Sequence, residues 1–262
     1  MSEIRDFAEF KEKFYQFSGL NLDCYKDRQM ERRIRQFIDR ENYGNFSCFL
    51  DKLREDPEVL HNFFNYITIN TSGFFRDEKV YEYLQNTVLV ELLKQHDRIN
   101  IWSMGASRGE EPYTLAIILN ELSALGRANI LASDIDDKAR AMAQEGCYAA
   151  HQLEKMPPAL LKGYFEQRNG GYYISDRIKK AVTFQKHNFL APIYGEMSLM
   201  QLVLCRNVFI YFKTNVQDWM IEQIARLIVP GGFFVTGCAE FVNNPQRYGL
   251  ERKIPAVYHK RQ

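Results

Sequence analysis

The stretch Ile99-Asn-Ile-Trp-Ser-Met-Gly-Ala-Ser-Arg-Gly-Glu-Glu-Pro-Tyr-Thr114 decides how this chain is read. It has the pattern of strand, sharp turn and helix. Ile99, Ile101 and Trp102 supply a short β-prone apolar run, and Gly105 and Gly109 bracket the turn. Pro112 then falls where the first helical turn tolerates a missing N–H. Leu115, Ile118, Leu119 and Leu122 follow at helical spacing, which predicts one apolar stripe laid on a sheet. A loop at the carboxyl end of a strand that feeds a helix is the usual ligand crevice of an open α/β sheet.

The turn chemistry narrows what enters that crevice. A phosphate favours a bare helix N-terminus. Here Glu110 and Glu111 stand at that position, which suits the helix dipole and repels a pyrophosphate. The glycines match neither the G-x-G-x-x-G spacing of dinucleotide sites nor a P-loop. A cationic or zwitterionic nucleoside carrying an amino group and a sulfonium fits better. The competing reading is that both glutamates only cap a helix. A second short strand, Asn129 to Asp134, ends in an acid where paired hydrogen bonds to ribose hydroxyls are common. Asp134 could instead cap the helix predicted over Asp136–Gln144, but Asp136 can fill that position and leave Asp134 for a ligand.

A chain of 262 residues with 46% hydrophobic and 26% charged residues can bury a full core. The net charge of +1 gives no bias toward nucleic acid or a membrane surface, and neither partner is expected. No run is apolar enough to span a bilayer, and the opening Met-Ser-Glu-Ile-Arg is no signal peptide. Cys24, Cys48, Cys147, Cys205 and Cys238 are scattered and form no C-x-x-C pair. A reducing cytoplasm with unpaired thiols is therefore expected. The five histidines lack metal-ligand spacing, and no metal is expected.

Residues 1–68 read as all helical. One helix ends at Ser18-Gly19, a second spans Asp27–Arg40, and others cover Phe46–Arg54 and Val59 to about Tyr66. In the second, Met30, Ile34, Phe37 and Ile38 form the apolar stripe, with Arg28, Arg32 and Arg35 opposite. Between Lys26 and Arg40 six Lys/Arg face three Asp/Glu. That face is either merely solvated or a docking surface for an acidic helical partner. Ile67–Arg76 is expected as an extended connector in which Phe74 and Phe75 plug a core. A helix follows from Asp77 to about His96, with Val80, Leu84, Val88 and Leu92 four apart. Residues 147–181 break the strand–helix alternation: Pro157-Pro158 opens a short helix, and Asn169-Gly170-Gly171 turns a hairpin. Alternation resumes with strands at Val182–His187 and Leu202–Asn207, and Val208–Phe212 is expected to continue in extended form. A helix from Asn215 to about Ile228 is expected to stop at Pro230-Gly231-Gly232. Strands are predicted at Phe233–Cys238 and Ile254–His259, the last antiparallel at the sheet end.

Asn70-Thr-Ser-Gly-Phe-Phe-Arg76, Gly109-Glu-Glu-Pro-Tyr113, Ala132-Ser-Asp134, Cys205-Arg-Asn207 with Val208-Phe-Ile-Tyr-Phe212, and Pro230-Gly-Gly232 occur in that order. Together they resemble the bacterial chemotaxis receptor methyltransferases, the CheR family, over nearly the whole chain. The resemblance implies a class I S-adenosylmethionine-dependent methyltransferase of Rossmann-like α/β fold. It also implies a helical N-terminal domain (1–68), a linker (69–76), and a methyltransferase domain (77–262) with a small antiparallel β insert at about 147–181. Receptor glutamates would be the methyl acceptors and S-adenosylhomocysteine the product. By the same resemblance Asn70, Ser72, Arg76, Glu111, Asp134, Asn188, Phe189, Arg206 and Asn207 line the cofactor site, and Arg76 and Tyr211 flank the transferred methyl. Arg28, Arg32, Arg33 and Arg35 would dock the helical bundle of a methyl-accepting chemoreceptor, with the protein acting as a monomer.

Three departures carry consequences. Arg108 stands where the family usually has a small residue or threonine, and Gln201 replaces a common acid. The hairpin around Asn169-Gly170-Gly171 also looks shorter than in members that tether to a receptor's C-terminal tail peptide, so no tail binding is expected. A module that binds S-adenosylmethionine without catalysis, with Arg108 as the suspect change, is the alternative function. A nicotinamide-linked oxidoreductase is disfavoured by the glycine spacing and the two glutamates.

Overall fold

The structure, a computed structural model, describes residues 6–68, 72–191 and 198–261. Contacts divide the chain into two compact units, Met1–Asn70 with Tyr211–Gln217, and Thr71–Ile210 with Asp218–Gln262.

Among the described residues the first unit holds four α-helices: α1 (Phe7–Ser18), α2 (Asp27–Arg40), α3 (Phe46–Glu55) and α4 (Pro57–Thr68). Side chains of Asp6 and Asn45 cap α1 and α3, and Gly19 in the left-handed region closes α1. Helix α4 runs through Ile67 and Thr68, so the connector begins later than the β-branched residues suggest. Tertiary packing overrides their weak helix propensity. The core is aromatic: Phe10, Phe14, Phe49 and Phe63 are fully buried. Phe49 and Phe63 meet edge to face at 4.9 Å, a favoured ring geometry. Met30, Ile34, Phe37 and Ile38 of α2 are buried, whereas Arg28, Arg32 and Arg35 are exposed. Arg33 is half-buried, its guanidinium bonded to the Tyr66 carbonyl. The returning segment is clipped on by a bridge between Tyr25 and Phe212, whose rings lie 4.7 Å apart. Lys26 N–H donates to the Tyr211 carbonyl at 3.0 Å, and Lys213 pairs with Asp27 at 2.7 Å.

The second unit opens with α5 (Glu78–Tyr83), a π-helical turn (Leu84–Val88) and α6 (Leu89–Gln95). Apolar residues exactly four apart overshoot a regular helix by about 40° per step. The wider π turn offsets that drift, and Val80, Leu84, Val88 and Leu92 all stay buried. Next come β1 (Ile99–Met104), α7 (Glu110–Glu121), β2 (Ala128–Asp134) and α8 (Asp137–Glu145). The insert comprises β3 (Cys147–Tyr148), α9 (Pro158–Tyr164), β4 (Phe165–Arg168) and β5 (Gly171–Ile174), followed by α10 (Asp176–Lys179). The chain then forms β6 (Val182–Lys186), β7 (Met200–Cys205), α11 (Thr214–Leu227), β8 (Ile228–Thr236), β9 (Leu250–Ile254) and β10 (Val257–Lys260).

Seven strands make one sheet in the order β6-β2-β1-β7-β8-β10-β9, parallel except for the antiparallel pairings of β10 with β8 and β9. Every residue of β7 is buried, as in a sheet covered on both faces. Gln201, the replacement noted in the sequence, accepts the Asn100 N–H at 2.7 Å and so serves the β1–β7 junction. The three insert strands form a separate antiparallel sheet, β3-β5-β4. Its hairpin turns at Asn169 and Gly170, both with positive φ, as a type I′ turn requires.

Three local expectations give way. Helix α7 is buried on nearly all sides from Pro112 to Leu119 rather than along one stripe. Phe209–Tyr211 form a 3₁₀ turn instead of extended chain. Pro230 and the following glycines lie within β8, where Met200 pairs with Ile228 but Leu202 with Phe233. Residues 229–232 therefore bulge from the ladder, which is where a strand accepts proline.

Candidate active site

The sheet reverses its direction of growth at β1, with β2 and β6 on one side and β7 and β8 on the other. Met104 is level with Ser133 of β2 and Cys205 of β7, so Gly105, Asp134 and Arg206 leave the sheet at one end. That end of an open α/β sheet, at its switch point, is where ligands bind.

Gly105, Ser107 and Gly109 all have positive φ, which folds the turn tightly back toward α7. A Cβ at Gly105 would lie 2.7 Å from Val208 Cγ2, with the Phe189 ring at 3.7 Å. Only glycine lets β1 leave the sheet this close to its neighbours. The Asp134 carboxylate braces the turn: Oδ2 accepts the Ser107 N–H at 2.8 Å and Oδ1 the Asp136 N–H at 3.0 Å. Asp136 is the N-cap of α8, so Asp134 is not needed for that task. Ile135 N–H bonds the carboxylate as well, so of its about four lone-pair positions one is left for a ligand hydroxyl. Burial, followed by the nearby Asp136 charge, pushes the Asp134 carboxyl above the usual carboxylate range.

The two glutamates divide their work. Glu110 is 1% exposed and accepts from the Ser72 hydroxyl, and at 3.2 Å from Gln152 Nε2. It thereby ties the connector and the insert to the start of α7. Glu111 accepts the Ser103 hydroxyl at 2.8 Å and Arg206 Nη1 at 3.2 Å. Burial pushes both carboxyls up, with Arg206 opposing that shift at Glu111, and Ser72 and then Arg108 at Glu110. Arg108 is half-buried, and its carbonyl accepts the Tyr148 hydroxyl at 2.8 Å.

Arg206 is the hub. Its side chain is 3% exposed, and Nη2 reaches Asp77 at 2.7 Å and the Arg76 carbonyl at 2.9 Å, while Nη1 also reaches the Tyr81 hydroxyl at 3.0 Å. Burial opposes its charge, but Tyr81, Glu111 and Asp77 outweigh that and hold the guanidinium protonated. Phe75 and Asp77 both have positive φ, rare for non-glycine residues, so the chain around Arg76 is held in a strained path. Phe74 is fully buried, edge-on to Tyr148 and Phe165, and plugs the core as expected.

The structure thus gathers Ser72, Arg76, Glu111, Asp134 and Arg206 at or beside the β1 crevice, with Phe189 beside Gly105. Asn188 turns the chain there, its side chain accepting the Leu190 N–H at 3.0 Å. Asn207 follows Arg206 with φ of +60°. Asn70 lies outside the described residues. Tyr211 ends the 3₁₀ turn and groups with the first unit. Sequence reasoning passed over Glu240, Asp77 and His187. Glu240 is 5% exposed and is bonded by main-chain N–H groups of the Asn207–Ile210 segment. His187 sits against Trp102 and Phe189, and burial depresses its pKa. A lone Gly-Cys-Ala-Glu stretch carries no signal for the Glu240 role, because the groups it serves are distant in sequence.

The donor set suits S-adenosylmethionine. Glu110, Glu111 and Asp134 place three buried or nearly buried carboxylates around the turn against one buried guanidinium, Arg206. A cationic ligand offsets that excess, whereas a pyrophosphate aggravates it. The Ser107 hydroxyl is buried with no partner among the described residues, a spare polar group in the turn itself. Counted in chain order, the large-sheet strands run 3-2-1-4-5-7-6, with the acid-rich turn at their switch point, and the family comparison makes this an S-adenosylmethionine-dependent methyltransferase. Residues 70–255 match the family model for the CheR methyltransferase SAM-binding domain, and residues 5–68 that for its all-alpha domain. The chain belongs to the CheR methyltransferase family. It is 32% identical to a chemotaxis protein methyltransferase of Listeria innocua over 94% of each chain. It is 31% identical to chemotaxis protein methyltransferase 2 of Pseudomonas aeruginosa, over 90% of this chain and 86% of that one. Among solved structures, PKMT2 from Rickettsia typhi in complex with AdoHcy aligns with a TM-score of 0.34 and 13% identity, over 53% of this chain and 21% of that one.

Proposed function

We propose that this protein methylates glutamate side chains on the cytoplasmic helical bundle of a chemoreceptor, forming glutamate methyl esters and S-adenosylhomocysteine. The carrying observation is the acid-rich turn, in which Glu110, Glu111 and Asp134 surround the crevice at the sheet's switch point. When bound, S-adenosylmethionine supplies an electrophilic methyl group on a positively charged sulfur.

The chain's own residues bind, orient and enclose. Asp134 offers its remaining lone pair to a ribose hydroxyl, and Phe189 walls the crevice beside Gly105. Asn70, Ser72, Glu111, Asn188, Arg206 and Asn207 complete the proposed cofactor lining. Burial raises the Glu111 carboxyl, and Arg206 and Ser103 oppose that by favouring its charged form, which suits a cationic ligand. An acceptor glutamate has a reference pKa of about 4.3 and is a carboxylate at neutral pH, so no general base is required. Rate then comes from alignment, which is worth up to roughly 7–11 kcal/mol in well-oriented systems. Arg76 grips the acceptor carboxylate, a task suited to a planar guanidinium, and Tyr211 packs beside the transferred methyl. The exposed Arg28, Arg32 and Arg35 of α2, with Arg33 beside them, dock an acidic receptor helix through charge steering.

No described helix is long and apolar enough to cross a membrane. We place the protein in the cytoplasm, acting as a monomer and without a tether to a receptor tail. Incubation with methyl-labelled S-adenosylmethionine and receptor-containing membranes tests the function. Label in a base-labile ester on the receptor is the expected result. Label that survives alkali, or none, rejects carboxylate methylation.

A further inference from the structure

Glu240 is an acid held by the main chain. It is 5% exposed, and among the described residues no Lys or Arg pairs with it. Its partners are main-chain N–H groups instead. Oε2 accepts from Asn207 and from Gly237, both at 2.7 Å, and Oε1 accepts from Ile210 at 3.2 Å. Phe209 N–H contributes as well. One carboxylate therefore gathers three amides of the segment Asn207–Ile210, which carries Asn207 at its start and runs directly into Tyr211. Asn207 sits in the left-handed region at φ +60°, which asparagine tolerates better than most side chains, and these bonds hold it there.

The far side of the carboxylate is equally fixed. Glu240 N–H closes a turn onto the Gly237 carbonyl at 2.9 Å, and the Thr236 hydroxyl donates to the Glu240 carbonyl at 3.2 Å. A Cβ at Gly237 would lie 2.7 Å from Asn207 Nδ2 and 2.8 Å from Glu240 Oε2. Residue 237 is therefore glycine because the 206–210 segment presses against it. Burial raises the Glu240 carboxyl, and the four amides pull it back toward the charged form.

We propose that Glu240 is a positioning residue for methyl transfer: by fixing the backbone of Asn207–Ile210 it aims Asn207 at the cofactor. This rests on the methyltransfer reading above. Glu240→Gln keeps the shape but turns an amide NH₂ toward N–H donors. Glu240→Asp keeps the charge on a shorter stem.

Both are compared with wild type, as full chains, for transfer to receptor membranes, S-adenosylhomocysteine titration and thermal melting. For Glu240→Gln, kcat is expected to fall about 100-fold, the cost of misplacing a group by an ångström, with acceptor KM within about twofold. Binding stoichiometry should stay at one per chain and affinity should drop at least about fivefold. Glu240→Asp should recover about tenfold of the lost kcat. A folded Glu240→Gln with kcat within about threefold of wild type, or an Asp variant no better than Gln, overturns the proposal. If Glu240→Gln does not fold, Gly237→Ala decides: lost kcat in a folded chain supports the proposal and unchanged kcat rejects it. Failure of both to melt cooperatively makes Glu240 a folding residue and rejects it too. A wild type that labels no receptor counts against the functional reading alone, and the S-adenosylhomocysteine affinities then decide for Glu240.

Discussion

Replacing Arg206 by methionine tests how the centre is held together. The guanidinium spans Glu111 at 3.2 Å, Asp77 at 2.7 Å, the Tyr81 hydroxyl at 3.0 Å and the Arg76 carbonyl at 2.9 Å. Its loss does not cost the same at each partner. The Asp77 side chain is 34% exposed and turns to water, whereas that of Glu111 is 13% exposed and cannot. Removing one member of a buried ion pair typically destabilises by about 3–5 kcal/mol, because the other is left buried and unpaired. For a chain of this size each kcal/mol lowers Tm by about 2–4 °C, so a drop of roughly 6–20 °C is expected.

The pH dependence has a definite sign. Burial already raises the Glu111 carboxyl, and without Arg206 it rises further. An acid whose folded pKa is raised destabilises the fold while ionised, and that cost lifts as pH falls through the folded value. The Tm gap between wild type and Arg206→Met should therefore be largest near about pH 8 and narrow toward about pH 5.5. Adding Glu111→Gln to the variant should restore part of the loss. Differential scanning calorimetry across that range is the assay. A Tm gap below about 2 °C, or one that widens in acid, refutes the reasoning.

Other outcomes follow from the same geometry. Arg76→Ala should lose methyl transfer by several orders of magnitude while keeping much of its affinity for S-adenosylhomocysteine, and retained turnover in a radiolabel assay removes Arg76 from the reaction. Asp134→Asn should weaken S-adenosylhomocysteine by about 10- to 100-fold in calorimetry, since one of the two oxygens becomes a donor while both now brace backbone N–H groups. Unchanged affinity excludes a ribose contact. Calorimetry with a receptor C-terminal tail peptide should detect no micromolar binding, and a micromolar complex would return tethering to this protein.

What the sequence disclosed was local. The Asp27–Arg40 helix, the Asn169-Gly170 hairpin and the Asp136 cap each depend on residues within a few positions of one another, and each stands in the structure with those residues. What it hid was long-range. Pro230-Gly231-Gly232 reads as a helix stop, yet it is a bulge whose form is set by the register of β7. Arg206 reads as one residue of a motif, but its meaning comes from Asp77, Tyr81 and Glu111, more than ninety positions away. Tyr211 gives no local hint that its segment joins the helical unit through Tyr25 and Lys26. Glu240 was invisible for the same reason: main-chain N–H groups are common to nearly all residues, and only folding decides which ones meet a carboxylate.

Direct titration of the purified protein with S-adenosylmethionine and, in parallel, with NAD tests most squarely whether negative charge at the switch point selects a positively charged methyl donor. One molecule of the donor bound per chain, lost or much weakened in Asp134→Asn and Glu111→Gln, with no uptake of NAD, is the expected result. Binding of the dinucleotide, or indifference to the donor, contradicts it.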